Sequence, residues 1–330
     1  MSTGTEIGET FDCFGSSCAA FVIGAGREAS TREAVDQARR SLLGWHERFS
    51  RFRAHSELSS LNRDPRPVVP VSPLMARFAN AVVSAGFLTA GLVDATLIDQ
   101  IESAGYAGEL RHPLPLPMAL RLAPPRRPAR AAVAAPWREI EVSLADHTVT
   151  RPMGVKLDSG GLAKGLFADV LAEELAEHPS FAINCAGDLA IGGSDGYSRP
   201  IHVESPFDGR TLHTFESTRT GVATSGIGRR AWLDARGRPA HHLLDPSTGE
   251  PAYTGVVQVT ALAPSALMAE IHAKAAILSG PGAARAWLPH GGVIVLDDGS
   301  HEVIQPPPAV TLSRLSTYAQ RRGSSVHQHG

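Results

Sequence analysis

The sequence predicts an α+β fold with largely antiparallel sheets flanked by helices. Two observations carry this. Periodic segments follow one another as strand, two helices, hairpin, helix and then several strands, without the regular alternation of a doubly wound parallel sheet. Small residues, hydroxyls and single charged groups stand at the ends of the apolar strands, where loops would present them. At 330 residues, 43% apolar and 19% charged, the chain can bury a large core. One domain is expected over residues 11–312, with a disordered tail over 313–330.

Phe11–Ile23 reads as a strand interrupted at Gly15, which permits a bulge or a close approach. Thr31–Arg48 is a helix capped by Ser30 or Thr31, apolar at Val35, Ala38, Leu42 and Trp45. Residues 49–62 crowd hydroxyls and arginines around two aromatic rings, and Ser56 can cap a short helix carrying Leu58 and Leu61. Pro73–Gly86 is a second amphipathic helix, beyond which Asp94 and Thr96 stand between two apolar segments. Residues 112–136 are dense in Pro, Arg and Ala and read as a mobile surface excursion. Trp137–Val142 and Thr148–Leu157 alternate like the strands of a hairpin.

Leu157–Asp169, L-D-S-G-G-L-A-K-G-L-F-A-D, joins a Gly-rich turn to a helix whose apolar face includes Leu162, Leu166, Val170 and Leu171. Free backbone N–H groups at such a helix start favour an anion, and Lys164 adds a full positive charge. Residues 181–193 read as a buried strand ending in Asn184 and Gly187-Asp188, with Asn184 and Asp188 fit to pin a tight turn. Further strands are expected at His202–Glu204, Thr211–Glu216, Val256–Ala263 and Gly292–Leu296, with a helix over Leu267–Leu278. Between them lie A-T-S-G, containing Thr224 and Ser225, and the turn-rich H-H-L-L-D-P-S-T-G-E-P of His241–Pro251.

A formal net charge of −2 gives no electrostatic case for nucleic acid. No run approaches the roughly 18 apolar residues of a membrane helix, so no membrane insertion is expected. The N-terminus lacks a basic and an apolar region, and three scattered cysteines make no disulfide framework. The expected location is the cytoplasm.

In this order, L-D-S-G-G-L-A-K-G-L-F-A-D, I-N-C-A-G-D-L, A-T-S-G and H-H-L-L-D-P-S-T-G-E-P resemble the FAD:protein FMN transferases of the ApbE family, over about Phe11 to Gly299. The resemblance implies a FAD cleft between two lobes. It also implies cleavage of FAD, attachment of FMN through a phosphoester to a Thr or Ser of an acceptor flavoprotein, and release of AMP. A FAD pyrophosphatase and a non-catalytic FAD-binding protein are the alternatives. By the same resemblance Phe52, Asp94, Thr96, Asp158, Lys164 and Leu244 contact FAD, and the Gly161 carbonyl takes the place of a metal ligand. Thr224 and Ser225 are of a kind to donate hydrogen bonds to phosphate. His242 is the candidate base for the acceptor hydroxyl, because an imidazole titrates near neutrality, with Asp245 as its orienting carboxylate. His241 beside it is not separable from it in the sequence.

The family usually completes a magnesium site with A-D-x-x-x-T; here the stretch is A-E-I-H-A-K, Ala269–Lys274. Glu270 can still ligate Mg2+, whereas a protonated Lys274 has no lone pair to offer. Lys274 is therefore expected to occupy part of the metal's place and to neutralise the pyrophosphate itself.

Overall fold

The computed structural model describes residues 4–307 except 109, 111 and 112; the expected tail and His112 lie outside the described residues. The chain begins as a hairpin, β1 (Glu6–Cys13) and β2 (Ser16–Ile23). The expected single strand is two, because Phe14 and Gly15 take φ of 55° and 66° and reverse the chain. α1 (Thr31–Phe49) opens with a capping box between Ser30 and Glu33, and α2 (Glu57–Arg63) with Ser56, whose Oγ accepts from Ser59 N at 3.0 Å. β3 (Val68–Pro70) leads into α3 (Pro73–Leu88), α4 (Ile98–Ser103) and α5 (Leu116–Leu122).

α5 lies inside the Pro-rich stretch, which is anchored rather than loose. Leu116 and Ala119 are buried, and the N–H groups of Arg127 and Ala129 donate to Tyr253 and Leu278 carbonyls at 3.0 and 2.8 Å. Proline removes donors, but the Arg127 and Ala129 N–H groups are satisfied by the body of the protein. β4 (Glu141–Ser143) and β5 (Thr148–Thr150) form the expected hairpin, and β5 also pairs with β3.

α6 (Ala163–Glu174) follows the Gly-rich turn. β6 (Ser180–Cys185) and β7 (Asp188–Gly192) are a hairpin where one strand was expected. Ala186 and Gly187 have φ of 54° and 102°, and Asn184 Oδ1 accepts Gly187 N at 2.8 Å. β8 (Arg199–Glu204) pairs with β9 (Thr211–Ser217), and after β10 (Thr220–Gly226) a short pair follows, β11 (Ala231–Leu233) and β12 (Pro239–His241). β13 (Val256–Ala263), α7 (Ala266–Ser279), α8 (Pro281–Ala284), β14 (Gly292–Leu296) and β15 (His301–Ile304) complete the order.

Eight strands make one sheet, β1-β2-β6-β7-β10-β13-β14-β15, antiparallel at every pairing. Each half of it carries its own apolar core. Leu42, Phe49, Phe78, Phe167 and Leu171 pack in one; Val222, Val259, Ile277 and Val293 pack in the other. α6 and α7 meet over the middle of the sheet, and Gly165 permits their contact. A Cβ there would fall 2.7 Å from Ala266 O and 2.8 Å from Leu267 Cα. No described helix is long and apolar enough to cross a membrane.

Candidate active site

The α6–α7 contact brings together four charged side chains, the two carboxylates buried and Lys164 partly exposed. Glu270, on α7, is wholly buried. Its Oε2 accepts the Gly165 N–H at 3.0 Å, and its Oε1 accepts from Lys274 Nζ at 2.8 Å. Lys164 Nζ lies 3.6 Å from the same Oε1 and donates to Asp188, itself 1% exposed at the start of β7. Two ammoniums and two carboxylates therefore form a quartet of zero formal charge. The Gly-rich turn lies against it, since a Cβ on Gly161 would stand 3.7 Å from Lys274 Cε.

Burial disfavours every charge here, and the ion pairs decide which survive. Burial raises Glu270, but the Lys274 and Lys164 ammoniums bring it below the usual carboxylate value. Burial lowers Lys164, yet Asp188 and Glu270 hold it above an ordinary lysine. Asp188 is pushed up to about 7, because burial and the Glu270 charge outweigh the two ammoniums.

The structure separates the two histidines. His241 is wholly buried, with its ring edge-on to Tyr253 at 4.6 Å and Nδ1 accepting from Leu243 N at 3.3 Å. His242 is half-buried and its Nδ1 has no hydrogen-bond partner among the described residues. Burial, then the positive charges of Arg230 and Lys274, hold it well below the usual histidine value. It is a neutral imidazole within the field of the quartet.

Asp245 does not orient this ring. Its Oδ1 accepts from Arg130 N at 3.1 Å, Ser247 N at 3.0 Å and Ser247 Oγ at 2.8 Å, which pins its own turn and the Pro-rich stretch. Leu244, buried beside it, bridges to Pro251. A cavity of about 700 Å³ opens next to this turn, with Gln100, Arg127, Asp245 and Tyr253 among its walls.

Asp94 and Thr96 bind each other, with Thr96 N and Oγ1 donating to Asp94 Oδ1 at 2.8 and 2.6 Å. Asp94 Oδ2 is buried without a partner among the described residues. This loop is tied to the Gly-rich turn through Asp158 N, which donates to Ala95 O at 2.8 Å. Asp158 Oδ1 accepts from Gly160 N at 3.0 Å and lies 3.8 Å from Arg51 Nε. The Arg51 guanidinium stands over Phe52 and Tyr106, at 4.3 and 4.8 Å from the ring centres, and Tyr106 stacks on Trp232 at 5.1 Å. Phe52, 41% exposed, is thus one end of an aromatic row that the sequence did not reveal beyond Phe52 itself.

Thr224 and Ser225 are successive residues of β10 and leave opposite faces of the sheet, so one phosphate cannot meet both. Thr224 Oγ1 is bonded to Thr260 Oγ1 across the strands at 2.8 Å, while Ser225 is buried on the other face. Asp188, expected as a turn residue, belongs instead to the charged quartet. Its one signal in the sequence is a carboxylate set between apolar residues, A-G-D-L-A-I.

A magnesium ion on Glu270 and the Gly161 carbonyl does not fit these donors. Both Glu270 oxygens are engaged, one by an ammonium. A divalent ion on that oxygen would lie about 4 Å from Lys274 Nζ, a repulsion of about 8 kcal/mol at an effective dielectric of about 20. No three His, Cys, Asp or Glu side chains among the described residues converge as a metal-binding set.

Comparison with known proteins agrees with this arrangement of elements. The FAD:protein FMN transferase of Haemophilus influenzae is 24% identical over 237 residues, 68% of this chain and 66% of that protein. Its counterpart in Salmonella typhimurium is 25% identical over 61% of this chain and 58% of that protein. The chain thus aligns with less than two thirds of the length of these relatives. The flavinyl transferase ApbE of Pseudomonas stutzeri, in its apo form, superposes with a TM-score of 0.72 at 19% identity, covering 92% of this chain and 96% of that one. The ApbE protein of Thermotoga maritima superposes with a TM-score of 0.70 at 23% identity, covering 91% and 97%. With residues 14–296 matching the profile of that family, the chain belongs to the ApbE family.

Proposed function

We propose that this protein cleaves FAD and transfers its FMN half to a Ser or Thr hydroxyl of an acceptor flavoprotein, releasing AMP. The observation that carries the reading is a neutral His242, its Nδ1 without a partner among the described residues, within the field of the quartet of Lys164, Asp188, Glu270 and Lys274. The relatives named FAD:protein FMN transferase support it.

The residues divide the work as phosphoryl transfer requires, by positioning and by neutralising charge. Lys164 and the α6 N-terminus attract the pyrophosphate, and Lys274 adds a second positive charge. His242 takes the proton of the acceptor hydroxyl, whose oxygen then bonds to the phosphorus of the FMN half. The bridging P–O bond breaks, its electron pair leaves on AMP, and the proton on His242 passes to solvent. By the family resemblance Asp94, Thr96, Asp158 and Leu244 are assigned to FAD contact, and the aromatic row ending at Phe52 offers a stacking surface for a flat ring system. A cytoplasmic location suits the three free, buried thiols, Cys13, Cys18 and Cys185.

Incubation with FAD and candidate acceptor flavoproteins tests this by mass spectrometry. The expected result is an acceptor heavier by one phosphoester-linked FMN, with one AMP released per acceptor modified. Free FMN and AMP with no modified acceptor would mark a pyrophosphatase instead. FAD bound without AMP release would mark a binding protein.

A further inference from the structure

Lys274 is a buried lysine whose ammonium has donors to spare. It is 8% exposed, and its one hydrogen bond among the described residues runs to Glu270 on the preceding turn of the same helix. An ammonium carries three N–H groups, so two remain for a ligand. Its stem passes the Gly161 turn, with Cε 3.7 Å from where a Cβ on Gly161 would stand, and its charge is felt by Asp188, Glu270 and His242. The cation therefore sits among the groups that would meet a pyrophosphate, and it is attached to the protein.

We propose that the Lys274 ammonium is a built-in counter-charge for the pyrophosphate of FAD, standing where a divalent cation would otherwise be recruited, so that FAD is bound without metal. This rests on the FAD reading above. Glu270 serves two ends in this arrangement. It holds the ammonium in place through an i,i+4 contact within α7, and it caps the start of α6. Two protein cations, Lys164 and Lys274, are then available to the two phosphates, and neither can be chelated away. A lysine is a point charge that donates hydrogen bonds to phosphate oxygens without demanding a coordination geometry.

The test measures metal binding and FAD binding separately from turnover. Protein freed of metal is titrated with Mn2+, followed by electron paramagnetic resonance, with and without FAD; FAD affinity is measured by calorimetry in chelator and in excess Mg2+. The expected outcome is no stoichiometric Mn2+ site in either titration, and an FAD affinity the same in chelator as in Mg2+. One equivalent of Mn2+ bound, or an FAD affinity about tenfold weaker in chelator, overturns the proposal. Lys274→Thr should lose affinity for FAD about tenfold in chelator and regain it with Mg2+. The wild-type titrations decide the matter even where that variant does not fold. Absence of AMP release under all conditions would sink the transferase reading, and the Mn2+ titration would still decide this one.

Discussion

Asp169 on α6 and Glu270 on α7 cap each other's helices. Asp169 Oδ1 and Oδ2 accept the N–H groups of Ala266 and Leu267 at 2.7 and 2.9 Å, and Glu270 Oε2 accepts that of Gly165 at 3.0 Å. First-turn N–H groups have no partner within their own helix, so each carboxylate completes the other helix and favours its dipole. Glu270 is also committed to the two lysines, whereas Asp169 touches neither. Asp169→Ala therefore isolates the structural half of the exchange. It leaves two N–H groups without an acceptor and should cost about 1–3 kcal/mol. Chemical denaturation should show a lower midpoint at unchanged slope. An unchanged midpoint would mean that water takes over both bonds.

The same contact explains Gly165. Alanine is favoured over glycine within a helix by about 1 kcal/mol, and on propensity alone Gly165→Ala should stabilise α6. Here the added carbon would stand 2.7 Å from Ala266 O and 2.8 Å from Leu267 N, backbone atoms that no rotamer change can move. Overpacking of this kind costs about 1–3 kcal/mol, so the steric effect outweighs propensity. Expected is a net loss of stability together with slower AMP release, because separating α6 from α7 pulls Glu270 off Gly165. A stabilised variant of full activity would contradict this account of the helix contact.

These relations explain which parts of the molecule were legible in the sequence. α6 and α7 have a helical period, and the Gly-rich turn before α6 follows from its glycines. The β1–β2 and β6–β7 reversals were not legible, because their left-handed residues include Phe14 and Ala186, where Asn or Gly would signal a hairpin. The i,i+4 spacing of Glu270 and Lys274 showed that they could pair, but not that they do so buried. Lys164 and Asp188 are joined only when the β6–β7 hairpin brings β7 back beside α6, a consequence of topology rather than spacing. Asp245 shows the reverse failure. Its closeness in sequence to His242 suggested an orienting role, but its hydrogen bonds fold its own turn.

His242 and Asp245 therefore predict different defects. His242→Ala removes the proposed base and should slow FMN transfer by about 10²–10⁴-fold, with FAD affinity little changed. Asp245→Ala releases the Arg130 and Ser247 N–H groups and should lower stability by about 1–3 kcal/mol. The pH profile of transfer should keep its shape, because Asp245 does not touch the imidazole. Rates measured beside denaturation curves distinguish the two. A pH profile altered by Asp245→Ala would restore that carboxylate to the proton path.

His241 makes the folded protein sensitive to acid. Burial pushes its pKa down to about 3, against 6.5 for an unperturbed histidine. Below pH 6.5 the unfolded chain takes up a proton that the folded chain refuses. The stability tied to neutral His241 is therefore present above 6.5 and is lost as pH falls toward about 3, by up to about 1.4 kcal/mol per pH unit. Asp188 acts with the opposite sign. Its carboxyl is raised from 3.8 to about 7, so its contribution is complete below 3.8 and is lost as pH rises through about 7. The two slopes oppose each other between these limits and partly hide one another in the wild type. His241→Phe separates them, because it keeps a ring against Tyr253 and removes the titration. Between pH about 6 and about 5, wild-type stability should fall relative to the variant by about 1 kcal/mol, measured by denaturant melts. A constant difference across that range would show that His241 accepts a proton without unfolding.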